Sequence, residues 1–175
     1  MGALRQVPMT DHRTFIVIHH SAADPANFGL DDFWGEYQKR DEGYNVVLTQ
    51  DKHLSHIHEE PFIEVDGIQV ATEAPDNEIS NGTYALNPYS YNICLNGNFE
   101  ISFPTDAEIH ELIQVIAAEC KKFGWKKADA LTRIITHNEA GTRYARERYI
   151  TACPGKHLIS RMPEIKAKVA TYLPD

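Results

Sequence analysis

Residues 14–19, Thr14-Phe15-Ile16-Val17-Ile18-His19, form an apolar, β-branched run. The run is continuous rather than alternating, which predicts a strand buried on both faces. It ends in His19-His20-Ser21, and polar residues follow through Asn27. Leu30, Phe33, Trp34 and Tyr37 recur at helical spacing and predict an amphipathic helix over 30–40. Residues 44–49 predict a second strand after Gly43. Phe62-Ile63-Glu64-Val65 and Ile68-Gln69-Val70-Ala71 are separated by Asp66-Gly67, a strong hairpin signal. Residues 74–88 are rich in Pro, Asn, Asp, Ser and Gly and read as a long loop, a class of segment that is often functional. Residues 91–95 predict a further strand, closed by Asn96-Gly97-Asn98.

The second half turns helical. Thr105 and Glu108 form a capping-box pattern. Ile109, Leu112, Ile113, Ile116, Ala117 and Cys120 supply the apolar stripe behind it, and Gly124 is the expected stop. Residues 131–136 predict a short strand ending at His137. Residues 138–150 are polar and charged, and 157–172 predict a final helix that Pro163 kinks or parts from its first turn. Strands and helices in this mixed order predict an α/β domain, a central mixed β-sheet flanked by helices. There is no internal repeat, low-complexity tract or linker, so residues 1–175 read as one domain.

Composition narrows the function. The net charge is −8. The small basic group Lys121, Lys122, Lys126 and Lys127 flanks a predicted helix end, where cations suit the helix dipole. A nucleic-acid partner is therefore not expected. No run approaches the ~20 apolar residues of a membrane span, and residues 1–14 carry no signal-peptide pattern. A monomer made in the cytoplasm, acting there or delivered by another route, is the expectation. Three cysteines without a signal peptide argue against a disulfide framework. Cys94 and Cys120 lie in apolar surroundings and read as small buried hydrophobes. Cys153 stands instead in Thr151-Ala152-Cys153-Pro154-Gly155, a turn-rich setting.

Candidate chemistry collects at strand ends. His19 and His137 each close an apolar strand, and Cys153 follows in a loop. Adjacent strand ends of an open sheet share one edge, where sites form. Two imidazoles and a thiolate are natural zinc ligands, and three protein ligands leave the fourth tetrahedral position open, the catalytic arrangement. The competing reading is a pair of hydrogen-bonded histidines among the nine in the chain. His53, His56 and His58 form a second group, but no carboxylate or cysteine pattern completes a metal site there.

Five pieces in order resemble the zinc-dependent N-acetylmuramoyl-L-alanine amidase family, which includes bacteriophage lysozyme-type amidases, bacterial autolysin amidases and animal peptidoglycan recognition proteins. The pieces are Phe15-Ile16-Val17-Ile18-His19-His20-Ser21-Ala22, Gly43-Tyr44, the stretch from Asn87 through Ser90-Tyr91-Asn92-Ile93-Cys94-Leu95 to Phe99, Thr136-His137-Asn138-Glu139, and Thr151-Ala152-Cys153-Pro154-Gly155. The resemblance runs from Phe15 to about Leu158. It implies the recognition-protein fold and a Zn2+ ion on His19, His137 and Cys153. It also implies catalytic roles for Tyr44 and Thr151 beside the reacting water. Neighbouring strand residues point to opposite faces, so His20 turns elsewhere, to a structural or supporting role. Two departures stand out: the insertion 141–149, which suggests a loop over the site, and Asn45, where many relatives carry histidine. Arg143, Arg146 and Arg148 of the insertion are candidates for peptide carboxylates, against a plain solvated loop.

The implied reaction is hydrolysis of the amide between N-acetylmuramic acid and L-alanine, with bacterial peptidoglycan or muropeptides as partner and the cell wall as the place of action. A non-catalytic peptidoglycan-binding module is the alternative, and retention of Cys153 favours the enzyme. An immune-type or effector setting, an endolysin and an autolysin are not separable by sequence.

Overall fold

The computed structural model describes residues 14–27, 44–48, 86, 89–143 and 150–175, together with the backbone of 62–65 and 68–72. The predicted helix over 30–40, the histidines at 53, 56 and 58, the loop 74–88 apart from Leu86, and residues 144–149 lie outside the described residues.

Among the described residues, a six-stranded sheet forms the centre. Its strands are β1 (Phe15–His20), β2 (Val46–Leu48), β3 (Phe62–Val65), β4 (Ile68–Thr72), β5 (Ser90–Leu95) and β6 (Ile134–Thr136), in the order β3-β4-β2-β5-β1-β6. β1 pairs in parallel with β5 and β6, and β2 in parallel with β5. β4 runs antiparallel to both β2 and β3, and β3–β4 is the pair predicted around Asp66-Gly67. The sheet is therefore mixed, with its parallel part in the centre.

The continuous apolar runs follow from burial on both faces. Ile16, Ile18, Tyr91, Ile93 and Leu95 join the large core beneath the helices, whereas Val17 joins a smaller cluster with Ile135 and Ala140. Alternation along β1 and β5 then puts His19, Asn92 and Cys94 on the Val17 face. The large core is closed by α1 (Asp106–Lys122) and α5 (Met162–Ala170), through Leu112, Val115, Ile116, Ile165 and Val169. The capping box is present: the Glu108 amide donates to Thr105 Oγ1, and the Thr105 amide to Glu108 Oε1. Cys94 and Cys120 are fully buried, as expected of small hydrophobes.

Three predicted elements differ. Residues 131–133 are not strand but the last turn of α2 (Lys127–Arg133), so the strand before His137 shortens to β6. Leu131 misleads the periodicity because it sits on the outer side of that helix, half exposed. The start of the expected insertion loop is also helical: α3 (His137–Arg143) includes Gly141, which is buried. Thr136 caps α3 by accepting the Glu139 amide at 3.0 Å. The final helix is divided into α4 (Lys156–Ile159) and α5, with Pro163 in the first turn of α5, where its missing N–H costs nothing.

Candidate metal centre

Parallel pairing sends the ends of β1, β2, β5 and β6 to one edge of the sheet. Ile18 pairs with Thr136, so the next residues, His19 and His137, leave adjacent strands side by side. Their rings lie 4.7 Å apart between centroids. Cys153 arrives from the loop after α3, and its Sγ stands 3.8 Å from His19 Nδ1. The three ligand atoms of His19, His137 and Cys153 all lie within 4.8 Å of one another. Tetrahedral bonds of ~2.0–2.3 Å place ligand atoms roughly 3.3–3.7 Å apart. A small inward adjustment of these side chains would bring the three atoms to the spacing that one zinc ion requires.

The electrostatics favour the same occupant. Burial, with His137 as the second cause, lowers His19 to about 3. Burial also lowers His137 and His20. All three imidazoles are therefore neutral at pH 7, the form that binds a metal. Burial pushes the Cys153 thiol up to about 12, against the opposing pull of the His20 amide. A divalent cation reverses that, because a coordinated thiol is deprotonated outright. The donor set, its spacing and its neutral imidazoles fit zinc, and the Cys153 thiol would give up its proton on binding.

Backbone and neighbouring side chains hold the cluster in place. The His20 amide donates to Cys153 Sγ at 3.3 Å. His20 itself turns to the other face, where Nδ1 accepts the Phe99 amide at 3.1 Å. That is the supporting role expected of it. Asn138 ties the start of α3 to the cysteine loop: its amide donates to the Cys153 carbonyl at 2.7 Å and its Nδ2 to the Thr151 carbonyl at 2.6 Å. Thr151 Oγ1 accepts the Cys153 amide at 3.2 Å, which holds the hydroxyl against the Cys153 main chain and leaves its hydrogen to donate elsewhere. The Tyr44 ring packs 5.1 Å from the His19 ring. Arg143, a candidate either for substrate carboxylates or for a solvated surface, pairs at 2.6 Å with Glu139 one turn back on α3.

Asn92 and Asn138 are supporting residues that sequence reasoning did not single out for the site, and Asn45 was noted there only as a departure from relatives. Asn92 had a readable signal, a lone amide in the apolar run Tyr91-Asn92-Ile93. Such a residue, once buried, must find a partner.

The sequence matches the N-acetylmuramoyl-L-alanine amidase family over residues 10–156. No curated protein sequence matches it. Among solved structures, the N-acetylmuramoyl-L-alanine amidase LysC from Clostridium intestinale URNW is 19% identical with a TM-score of 0.67, covering 96% of this chain and 90% of its own. The Ph2119 endolysin from Thermus scotoductus MAT2119 bacteriophage Ph2119 is 20% identical with a TM-score of 0.63, covering 94% and 90%. A mutant of Drosophila PGRP-LB in complex with tracheal cytotoxin is 16% identical with a TM-score of 0.61, covering 91% and 84%. At these identities the likeness is one of fold.

Proposed function

We propose, from the premise that this chain belongs to the N-acetylmuramoyl-L-alanine amidase family, that it hydrolyses the amide between N-acetylmuramic acid and L-alanine in bacterial peptidoglycan, using zinc held by His19, His137 and Cys153. The observation that carries the reading is the convergence of two neutral imidazoles and one thiol at a single sheet edge, within 4.8 Å.

When bound, zinc supplies a Lewis acid with an open position, able to acidify water and to polarise the scissile carbonyl. The chain's own groups do the rest. The His20 amide, aimed at Cys153 Sγ, stabilises the sulfur as thiolate. Tyr44, beside His19, offers a phenol hydroxyl to the oxygen of the attacked carbonyl as it gains charge. Thr151 offers a second donor from the cysteine side, with its oxygen already engaged by the Cys153 amide. A neutral threonine is a weaker oxyanion partner than a lysine would be, which puts more of the stabilisation on Tyr44. The substrate lies in the bacterial cell wall, consistent with the endolysin and amidase neighbours and with the tracheal cytotoxin bound to the Drosophila protein.

A non-catalytic recognition module is the second reading, since a Drosophila peptidoglycan recognition protein shares the fold at a TM-score of 0.61. Purified protein decides between them. We expect one zinc per chain by elemental analysis and release of free L-alanine amino termini from muropeptides. A chelator should abolish the release and zinc should restore it. Muropeptide binding without cleavage by the zinc-loaded protein would reject the enzyme.

A further inference from the structure

The geometry points to Asn92 as the positioning residue that selects the ring tautomer of His19 and thereby keeps Nδ1 available to a metal. The inference rests on the zinc reading above. His19 Nε2 lies 2.8 Å from Asn92 Oδ1, in a fully buried contact between side chains 73 residues apart. An amide oxygen only accepts, so Nε2 carries the proton. The other ring nitrogen, Nδ1, is the one that faces Cys153 Sγ at 3.8 Å. One nitrogen thus points back into the sheet and the other into the cluster. A proton on Nδ1 would occupy the lone pair that a cation requires, and would leave two acceptors facing each other at Nε2.

The sheet register explains why Asn92 can do this. Val17 pairs with Asn92 and His19 with Cys94, so Asn92 is a diagonal neighbour of His19 on the same face. A side chain as short as asparagine spans that diagonal. Asn92 is in turn fixed by Asn45 on the adjoining strand. The Asn45 amide donates to the Asn92 carbonyl at 2.9 Å, and Asn45 Oδ1 accepts the Asn92 amide at 2.9 Å. This two-point clamp lies immediately before the β2–β5 pairing begins at Val46 and Ile93. Asn45, unexplained in the sequence, therefore braces the residue that orients a ligand.

Two measurements test the assignment. Long-range proton–nitrogen correlation spectra of the metal-free wild-type chain report the His19 tautomer directly. The Nε2–H form is expected, and an Nδ1–H form would overturn the proposal. Zinc affinity by chelator competition is the second. Asn92→Leu keeps the shape and removes the acceptor, and is expected to weaken zinc binding about 10–100-fold. Asn92→Asp keeps an oxygen at that place and should recover most of the affinity. Wild-type affinity in a folded Asn92→Leu, or an Asn92→Asp as weak as Asn92→Leu, counts against the assignment. If Asn92→Leu does not fold, the wild-type tautomer and Asn92→Asp decide. A wild-type chain that binds no zinc sinks the functional reading, and the tautomer spectrum still tests Asn92 on its own.

Discussion

Tyr44 and Cys153 sit on the same cluster but answer to different measurements. Tyr44→Phe removes one hydroxyl and keeps the ring against His19. Turnover should fall by about 10²–10³, the usual loss for one oxyanion donor, with zinc content and melting temperature unchanged. Full activity would reduce Tyr44 to a wall of the site. Cys153→Ser exchanges a thiolate for a far poorer zinc ligand. Loss of bound zinc and of cleavage is expected, with the far-ultraviolet circular dichroism of the folded chain retained. The buried groups also make the metal-free protein pH-sensitive in both directions. Below the ordinary histidine value of 6.5, the unfolded chain takes up a proton that folded His19 refuses down to about 3, so stability falls as pH drops through that window. Above the ordinary thiol value of 9.0, the unfolded chain sheds a proton that folded Cys153 keeps up to about 12, so stability falls again as pH rises. Urea midpoints of chelator-treated protein should trace a plateau between the two limbs. Burial pushes Cys120 up to about 12 as well, so Cys153→Ser should make the alkaline limb shallower without abolishing it and leave the acid limb in place.

Turns and caps place these residues. The turn after Cys153 packs directly on the Phe99–Glu100 backbone. Gly155 adopts φ +91°, and a Cβ there would lie 2.3 Å from the Glu100 nitrogen and the Phe99 carbonyl carbon. Main chain cannot yield as a flexible side chain can, so the turn itself must move. Gly155→Ala is expected to cost about 1–3 kcal/mol in a denaturant melt and to lower zinc affinity with it, since Cys153 moves with the turn. An unchanged melt would mean that the 99–100 segment gives way easily. Elements of this kind divide into those legible in sequence and those not. The strand at 15–20, the Thr105 cap and the β3–β4 pair announce themselves through local pattern, because burial on two faces, a cap and a two-residue turn each have a short-range signature. The Leu131 error and the helical Gly141–Thr142–Arg143 stretch have the opposite origin. A seven-residue helix spans too few turns to show a period, and its boundary is set by packing against β6.

At the scale of the molecule, the meeting of His19, His137 and Cys153 was legible because the two histidines follow recognisable strands, Cys153 stands in a distinctive turn motif, and family resemblance supplied the order. The asparagine brace was not, because Asn45, Asn92 and His19 meet only through sheet register across large sequence separations. That register has a further consequence. The first strand, β1, lies between β5 and β6, the last two to be made. During synthesis the N-terminal strand therefore has no neighbour to pair with until residues 90–95 emerge, and one edge stays open until 134–136 follow. Long-range parallel pairing of this kind folds slowly, since loop-closure entropy is spent before contacts repay it. The three clustered residues His19, His137 and Cys153 therefore cannot meet until Cys153 has followed residues 134–136 out of the ribosome.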